Sequence, residues 1–313
     1  MNTILKSAKD LDCLLISVLL GIFFFSCQKD QAIKKITTKT LLLEMVDFEN
    51  LAQRPEPFYK QAMASSYSRE SHKGGEDWFH NLDRGEYVRT ETNDGRKKHV
   101  LADLQGPGAL TRFWSANPTK ENMIRFYFDG ENKPRFEVPL SALFTGKTEP
   151  FGPDFSYLSG TGGNLYYPIP YVKSLKITIE EKVKPLSLYY EINYRTYSSE
   201  AIVETFNPSK ADSWKEIQIQ VAQDMSFPQT QKPKGELQRI TQRITISPGE
   251  TYHLPSVQGK KAVYNWSARV LETKESQVWS DPQRAHNAYR FALLEISFDG
   301  EKSIATPLGD FFG

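Results

Sequence analysis

Short runs of alternating apolar and polar residues dominate the chain from about residue 60 onward. Examples are residues 109–114, 123–128, 174–180 and 188–197, each bounded by turn-forming residues. This alternation is typical of half-buried β-strands, whose side chains point in turn to opposite faces of a sheet. Asp129-Gly130 lies between two such runs and predicts a tight hairpin turn. The pattern predicts an all-β fold, an antiparallel β-sandwich of the jelly-roll kind, with Trp114 and Phe128 turned into its core.

Three other segments have different patterns. Residues 40–51 carry apolar side chains at helical spacing and predict a docking helix that ends before Pro55 and Pro57. Residues 212–221 predict a second helix, with Asp212 or Ser213 as its cap. Residues 228–235, with the sequence PQTQKPKG, predict a linker.

The sequence also repeats itself. The segment 101–106 recurs as 254–259, 128–131 as 298–301, and the pattern of 139–144 as 307–312. Ordered matches with small changes in offset are typical of a duplicated domain with loop insertions, although common strand-and-turn sequences could also coincide. We expect a first sandwich domain over 59–227 and a truncated second jelly-roll-like domain over 236–313. Since the second copy has no counterpart to residues 145–206, the chain is expected to be the amino-terminal part of a longer protein.

The amino terminus has the pattern of an export signal. Lys6 and Lys9 precede an apolar run from residue 14 to 25, which ends at Ser26-Cys27. Twelve helical residues span about 18 Å, which is too short for a bilayer core but typical of a signal peptide. The end of the run resembles a bacterial lipobox; the alternative is an ordinary signal peptide with an incidental cysteine. We expect removal of residues 1–26, lipidation of Cys27, a tether and short helix over 27–58, and anchorage in the bacterial cell envelope, on the periplasmic or cell-surface side of the outer membrane.

Composition narrows the classes of partner. The chain has 39 Lys and Arg against 38 Asp and Glu, with no basic stripe, so nucleic acid is not an expected partner. Aromatic residues make up 12% of the chain. Aromatic side chains suit strands, and they also form platforms on which sugar rings stack.

Four ordered segments together carry a family resemblance. They are residues 64–69 (ASSYSR) with 73–78 (KGGEDW), 106–108 with 112–114 (GPG, RFW), 125–131 with Pro134, and 167–171 (YPIPY). In this order and spacing they resemble glycoside hydrolase family 172, over about residues 60–206 and again over 250–313. The resemblance implies jelly-roll domains, a trimer-based homo-oligomer, and hydrolysis or transfer of furanosides such as fructofuranose or arabinofuranose.

The chemistry of such an enzyme needs two carboxylates, about 5–5.5 Å apart in retaining enzymes and farther apart in inverting ones. The resemblance implies glutamates in a Glu-Gly-Asp segment and in a Gly-Thr-Gly-x-Glu-Asp-Tyr-Phe segment. Here residues 160–166 read GTGGNLY, so Gly163 and Asn164 stand where carboxylates are needed. Neither side chain can donate a proton as an acid or attack as a carboxylate. We therefore expect the catalytic pair beyond Gly313, and a chain that is inactive alone.

Local candidates for sugar contact surround the first segment. Glu76 and Asp77 follow two glycines and are the candidate carboxylates; the alternative is a turn with solvated charges. The candidate substrate-binding residues can stack on a ring or bond its hydroxyls: they are Tyr67, Arg69, Trp78 and Trp114. Glu191 is a further carboxylate, on an alternating strand, where a position facing solvent is the alternative.

No metal or other cofactor is expected. His72, Glu76 and His80 have the spacing of metal ligands on a helix, but Gly74-Gly75 would break that helix.

The sequence as a whole supports two hypotheses about function. The chain is either the amino-terminal part of an exported glycan-processing enzyme, or a non-catalytic carbohydrate-binding or assembly module.

Overall fold

A computed structural model describes residues 34–50, 53–71, 80, 82–93, 95–182, 186–227, 235–270 and 287–312. The predicted signal peptide, Cys27, the segment with Glu76, Asp77 and Trp78, and all but the last residue of the predicted linker lie outside these residues. The chain divides after Ile240 into two compact units. Within the described ranges, the helices are all too short or too polar to span a membrane.

The first unit is built from two antiparallel sheets, which confirms the predicted all-β fold. One sheet has the order β1-β11-β4-β8-β7, with β9 also paired to β4; the other has the order β2-β3-β10-β5-β6. We call them the first and the second sheet. The strands are β1 Tyr59–Ser65, β2 Arg89–Asn93, β3 Arg96–Gln105, β4 Gly108–Ala116, β5 Met123–Phe128, β6 Phe136–Pro139, β7 Ser156–Ser159, β8 Gly162–Leu165, β9 Ile169–Tyr171, β10 Ser174–Glu180 and β11 Tyr190–Tyr197.

The core lies between the two sheets and is rich in aromatic rings. Phe126 and Phe128 of β5 are buried in it, as predicted for Phe128. The prediction for Trp114 is wrong: Phe113 is buried, and Trp114 is half-buried on the other face of β4. The cause is a β-bulge, because the pairing with β11 passes from Arg112 directly to Leu110. One extra residue reverses the side-chain alternation that follows it.

Two helices pack on the sandwich. Helix α1 spans Thr38–Glu44, shorter than the predicted 40–51, and begins with a capping box formed by Thr37 and Thr40. Leu41 and Leu42 of α1 are buried against the sandwich. Helix α2 spans Lys215–Ser226 and follows a 3-10 helix over Pro208–Trp214. Asn207 caps that 3-10 helix, so the predicted cap at Asp212 or Ser213 is wrong.

The second unit contains α3 (Asn287–Phe291), β12 (Leu293–Phe298), β13 (Glu301–Pro307) and α4 (Leu308–Phe312). Strands β12 and β13 form a hairpin whose turn has Asp299 at φ 49° and Gly300 at φ 84°. The turn after β5 has nearly the same values, with Asp129 at 53° and Gly130 at 86°. In both hairpins the second strand ends at a proline, and a short helical segment follows it. This segment is Leu140–Phe144 in the first unit and α4 in the second. This local likeness covers only the later part of the repeat, because residues 254–259 form no strand whereas residues 101–105 belong to β3. The repeat and the domain limits stay a prediction.

Candidate functional site

The first sheet presents a mixed aromatic and charged surface on the side away from the core. Strand pairing places Glu191 opposite Trp114, Trp114 opposite Asn164, and Asn164 opposite Tyr157. Residues directly opposite each other on paired antiparallel strands share a face of the sheet. These four side chains therefore form one row across β11, β4, β8 and β7. We call the surface around this row the outer face.

An ion pair lies beside Trp114 in this surface. The Arg112 guanidinium donates to the Glu191 carboxylate at 2.6 Å and to the Asn193 side-chain oxygen at 3.2 Å. The guanidinium carbon also lies 5.8 Å from the centroid of the Tyr166 ring. Burial disfavours the charged guanidinium, but the bonds to Glu191 and Tyr166 outweigh it and raise the pKa of Arg112. The pair presents fixed hydrogen-bonding groups next to an indole, which is the combination that binds a sugar ring and its hydroxyls.

Exposed tyrosines extend the outer face on both sides of this pair. The rings of Tyr157 and Tyr166 stack with centroids 6.3 Å apart, and both are exposed. At the other side Tyr67 and Tyr189 are exposed, and the Arg69 guanidinium lies 3.9 Å from the Tyr67 ring centroid. The outer face therefore carries exposed aromatic rings in addition to the Arg112–Glu191 pair.

Two glycines of the segment 160–166 lie directly beneath large side chains. A side-chain carbon at Gly162 would lie 2.7 Å from Trp114 Nε1, so the indole packs directly over this backbone. A side-chain carbon at Gly163 would overlap the buried ring of Phe144. Both positions therefore exclude a larger side chain, and Asn164, the next residue, lies on the outer face opposite Trp114.

The predicted substrate-binding residues fall into separate groups: Arg69 lies over the Tyr67 ring just after β1, whereas Trp114 lies on β4. The register places Trp114 on the outer face, Tyr67 is exposed, and Trp78 lies outside the described residues. The candidate carboxylates Glu76 and Asp77 also lie outside them. On the described strands of the first sheet, Glu191 is the carboxylate that the register places on the outer face.

Sequence reasoning missed the roles of Arg112, Tyr157 and Tyr166. Arg112 lies in one of the family-like segments, but its pairing with Glu191 joins residues 79 positions apart in the chain. Of the three residues with metal-ligand spacing, His72 and Glu76 lie outside the described residues, so the expectation about a metal site stays a prediction. The third, His80, has its Nδ1 2.6 Å from the Ser68 hydroxyl.

The two packed antiparallel sheets define the class of this domain, a β-sandwich. The family model described as the GH172 first beta-sandwich domain matches residues 57–213. This match covers half of the chain, and the chain belongs to glycoside hydrolase family 172. No curated protein matches the chain.

Proposed function

We propose that this chain binds the sugar for an exported glycoside hydrolase that cleaves or transfers furanosides, of the fructofuranose or arabinofuranose type. The observation that supports the proposal is the Arg112–Glu191 pair beside the indole of Trp114. The indole offers an apolar face to a ring, and the pair offers a donor and an acceptor to its hydroxyls. Lipid anchorage through Cys27, an envelope location and a trimer-based assembly belong to the same proposal.

In this proposal the outer face binds the sugar but does not cleave the glycosidic bond by itself. Hydrolysis needs an acid and a second carboxylate, and Glu191 is already engaged by Arg112 at 2.6 Å. The two catalytic carboxylates would come from outside this face.

Binding and turnover can be measured separately on the chain. We expect calorimetry to detect binding of fructofuranosyl or arabinofuranosyl oligosaccharides, and Trp114→Ala to weaken it by about tenfold, roughly 1.4 kcal/mol. The matched control is Tyr252→Ala, which removes an exposed ring of the second unit. Equal affinities of the Trp114→Ala variant and the unchanged chain would contradict the proposal.

A second candidate function is a non-catalytic carbohydrate-binding or assembly module. It is favoured by the presence of a single carboxylate on the described outer face. Release of sugar from aryl furanosides distinguishes the two. If the chain extended by the sequence encoded after residue 313 releases sugar, the enzyme hypothesis is favoured. If both the chain and the extended protein bind sugar but release none, the module hypothesis is favoured. Turnover by the chain alone that Glu76→Gln abolishes would move the active site to residues 72–79.

A further inference from the structure

A polar hollow lies on the second sheet, on the side away from the core. It is lined by side chains from β2, β3, β5 and β10 and from the turn after β5: Glu91, Lys98, Tyr127, Glu131, Lys176 and Thr178, with Asn132 at its border. None of these residues belongs to the first sheet or to the outer face.

Arginines already engage both carboxylates of the hollow. Glu91 Oε1 accepts from Arg89 Nε at 2.9 Å and from Arg89 Nη2 at 2.7 Å. Glu131 accepts from Arg135 Nε at 3.1 Å, and Arg89 also pairs with Asp103 at 2.7 Å. The negative charges of the hollow are therefore neutralised by groups that surround it.

The two lysines of the hollow are less completely paired. The Lys176 ammonium lies 3.3 Å from Glu91 Oε2 and 5.3 Å from the centroid of the Tyr127 ring. Lys98 lies opposite Glu91 and Glu180 in the register, but Arg125 holds Glu180 at 2.6 Å. Among the described residues no ion pair involves Lys98. The charged side chains of the hollow and of its ion-pair partners have a net charge of +1. Four of them are positive and three are negative: Arg89, Lys98, Arg135 and Lys176, and Glu91, Asp103 and Glu131.

Thr178 supplies an independent observation. It lies on β10 between β3 and β5, it is only 1% exposed, and its hydroxyl has no hydrogen-bond partner among the described residues. A buried hydroxyl without a partner costs about 1–3 kcal/mol. Valine has the same shape and would avoid this cost, so a threonine here points to a ligand that bonds the hydroxyl.

We propose that this hollow binds one sugar residue that carries a single negative charge, such as a uronic acid. The carboxylate of the sugar accepts from Lys98 and Lys176, the Thr178 hydroxyl bonds the sugar, and the Tyr127 ring lies beside it. The negative charge of the ligand is inferred from the net positive charge of the hollow. The inference that the ligand is a sugar rests on the proposed function. The site is separate from the outer face and from cleavage, and it would hold an acidic glycan while another part is processed.

The test uses the full chain with glucuronate and galacturonate, and with glucose, galactose and acetate as comparison ligands. Saturation-transfer NMR and calorimetry should detect both uronates, with weaker or no binding of the neutral sugars and of acetate. Lys98→Gln should weaken uronate binding about tenfold, because it removes a charge-assisted bond. Lys97→Gln, at the next residue of β3 and outside the hollow, should leave the affinity unchanged.

Thr178→Val separates a binding role from a structural one. It should weaken uronate binding and leave the melting temperature unchanged or raised, because an unpartnered hydroxyl is removed. A lowered melting temperature with unchanged binding would overturn the proposal. Equal binding of glucose and glucuronate, or of acetate and glucuronate, would overturn it as well, the latter because it shows an adventitious anion only. The Trp114→Ala measurement tests the outer face independently, so the two proposals can fail separately.

Discussion

His99 is a nearly buried imidazole on β3, the central residue of a small polar cluster. Its Nδ1 lies 2.9 Å from the Thr90 hydroxyl, and its ring stacks on Tyr87 with centroids 4.2 Å apart. Nε2 is 4.0 Å from a Glu181 oxygen and makes no hydrogen bond among the described residues. Burial, aided by Lys97, lowers the pKa of His99, while Glu181 opposes the shift.

This cluster predicts a pH dependence of stability. Because the folded pKa of His99 is below the unfolded value of about 6.5, the unfolded chain binds more protons just below that pH. The free energy of unfolding should fall as the pH decreases from 7.5 to 5.5, by at most about 1.4 kcal/mol per pH unit from this group. Urea denaturation of His99→Gln should show a flatter dependence over this range. Identical slopes for the variant and the unchanged chain would show that His99 does not titrate in this way.

At the scale of elements, the β5–β6 turn is tied to two other parts of the first unit. Asp129 Oδ1 accepts from the amides of Lys173 at 2.6 Å and Ser174 at 3.3 Å. Its other oxygen accepts from the Thr205 hydroxyl at 2.5 Å. One side chain thus connects the hairpin to the start of β10 and to the segment that follows β11.

Asp299 provides a matched control for these bonds. It occupies the same turn position at nearly the same positive φ, so replacement by alanine introduces the same backbone strain in both hairpins. We expect Asp129→Ala to reduce the local stability by about 2 kcal/mol more than Asp299→Ala, because only Asp129 also accepts hydrogen bonds from Lys173, Ser174 and Thr205 with its charged carboxylate. Hydrogen exchange of the strand amides measures each unit separately. Equal losses at the two positions would show that the turn conformation, and not its side-chain bonds, stabilises the hairpin.

At the scale of the whole molecule, the described chain is bound to the sandwich almost from its first residue. The Ile36 amide donates to Ile202 at 2.8 Å, the Glu204 amide donates to Ile36 at 2.8 Å, and Lys35 pairs with Glu204 at 2.7 Å. Cys27 precedes this attachment by only nine residues in sequence. Even a fully extended segment of that length spans only about 30 Å, so a lipid on Cys27 would hold the first unit close to the membrane surface.

We expect a lipid on Cys27 to anchor the whole molecule to a membrane. Palmitate labelling of the expressed precursor should tag the protein, and Cys27→Ser should abolish the tag and release the protein from membranes. Cys13→Ser, inside the predicted signal peptide, is the control and should keep the tag. Labelling that persists in Cys27→Ser would contradict the lipobox interpretation.

Much of the fold could be predicted because its signals are local. Alternating apolar residues indicate strands wherever they occur, and Asp-Gly indicates the tight turn that both hairpins contain, with positive φ at each residue. The family was recognisable for the same reason, since short motifs keep their order along the chain. Helix α1 was placed correctly but predicted too long, because the apolar spacing continues past Glu44, where the helix ends.

The sequence by itself therefore determined several of the strands, the Asp-Gly turn, the antiparallel all-β class and the family of this protein. Only the tertiary structure decided which face each side chain occupies, because a single bulge at Thr111 moved Trp114 from the predicted core to the outer face. It also decided which residues meet: the row from Glu191 to Tyr157 comes from four strands, and the hollow around Thr178 from four others. Strand register is set by long-range pairing and packing, and no local pattern in the sequence specifies it.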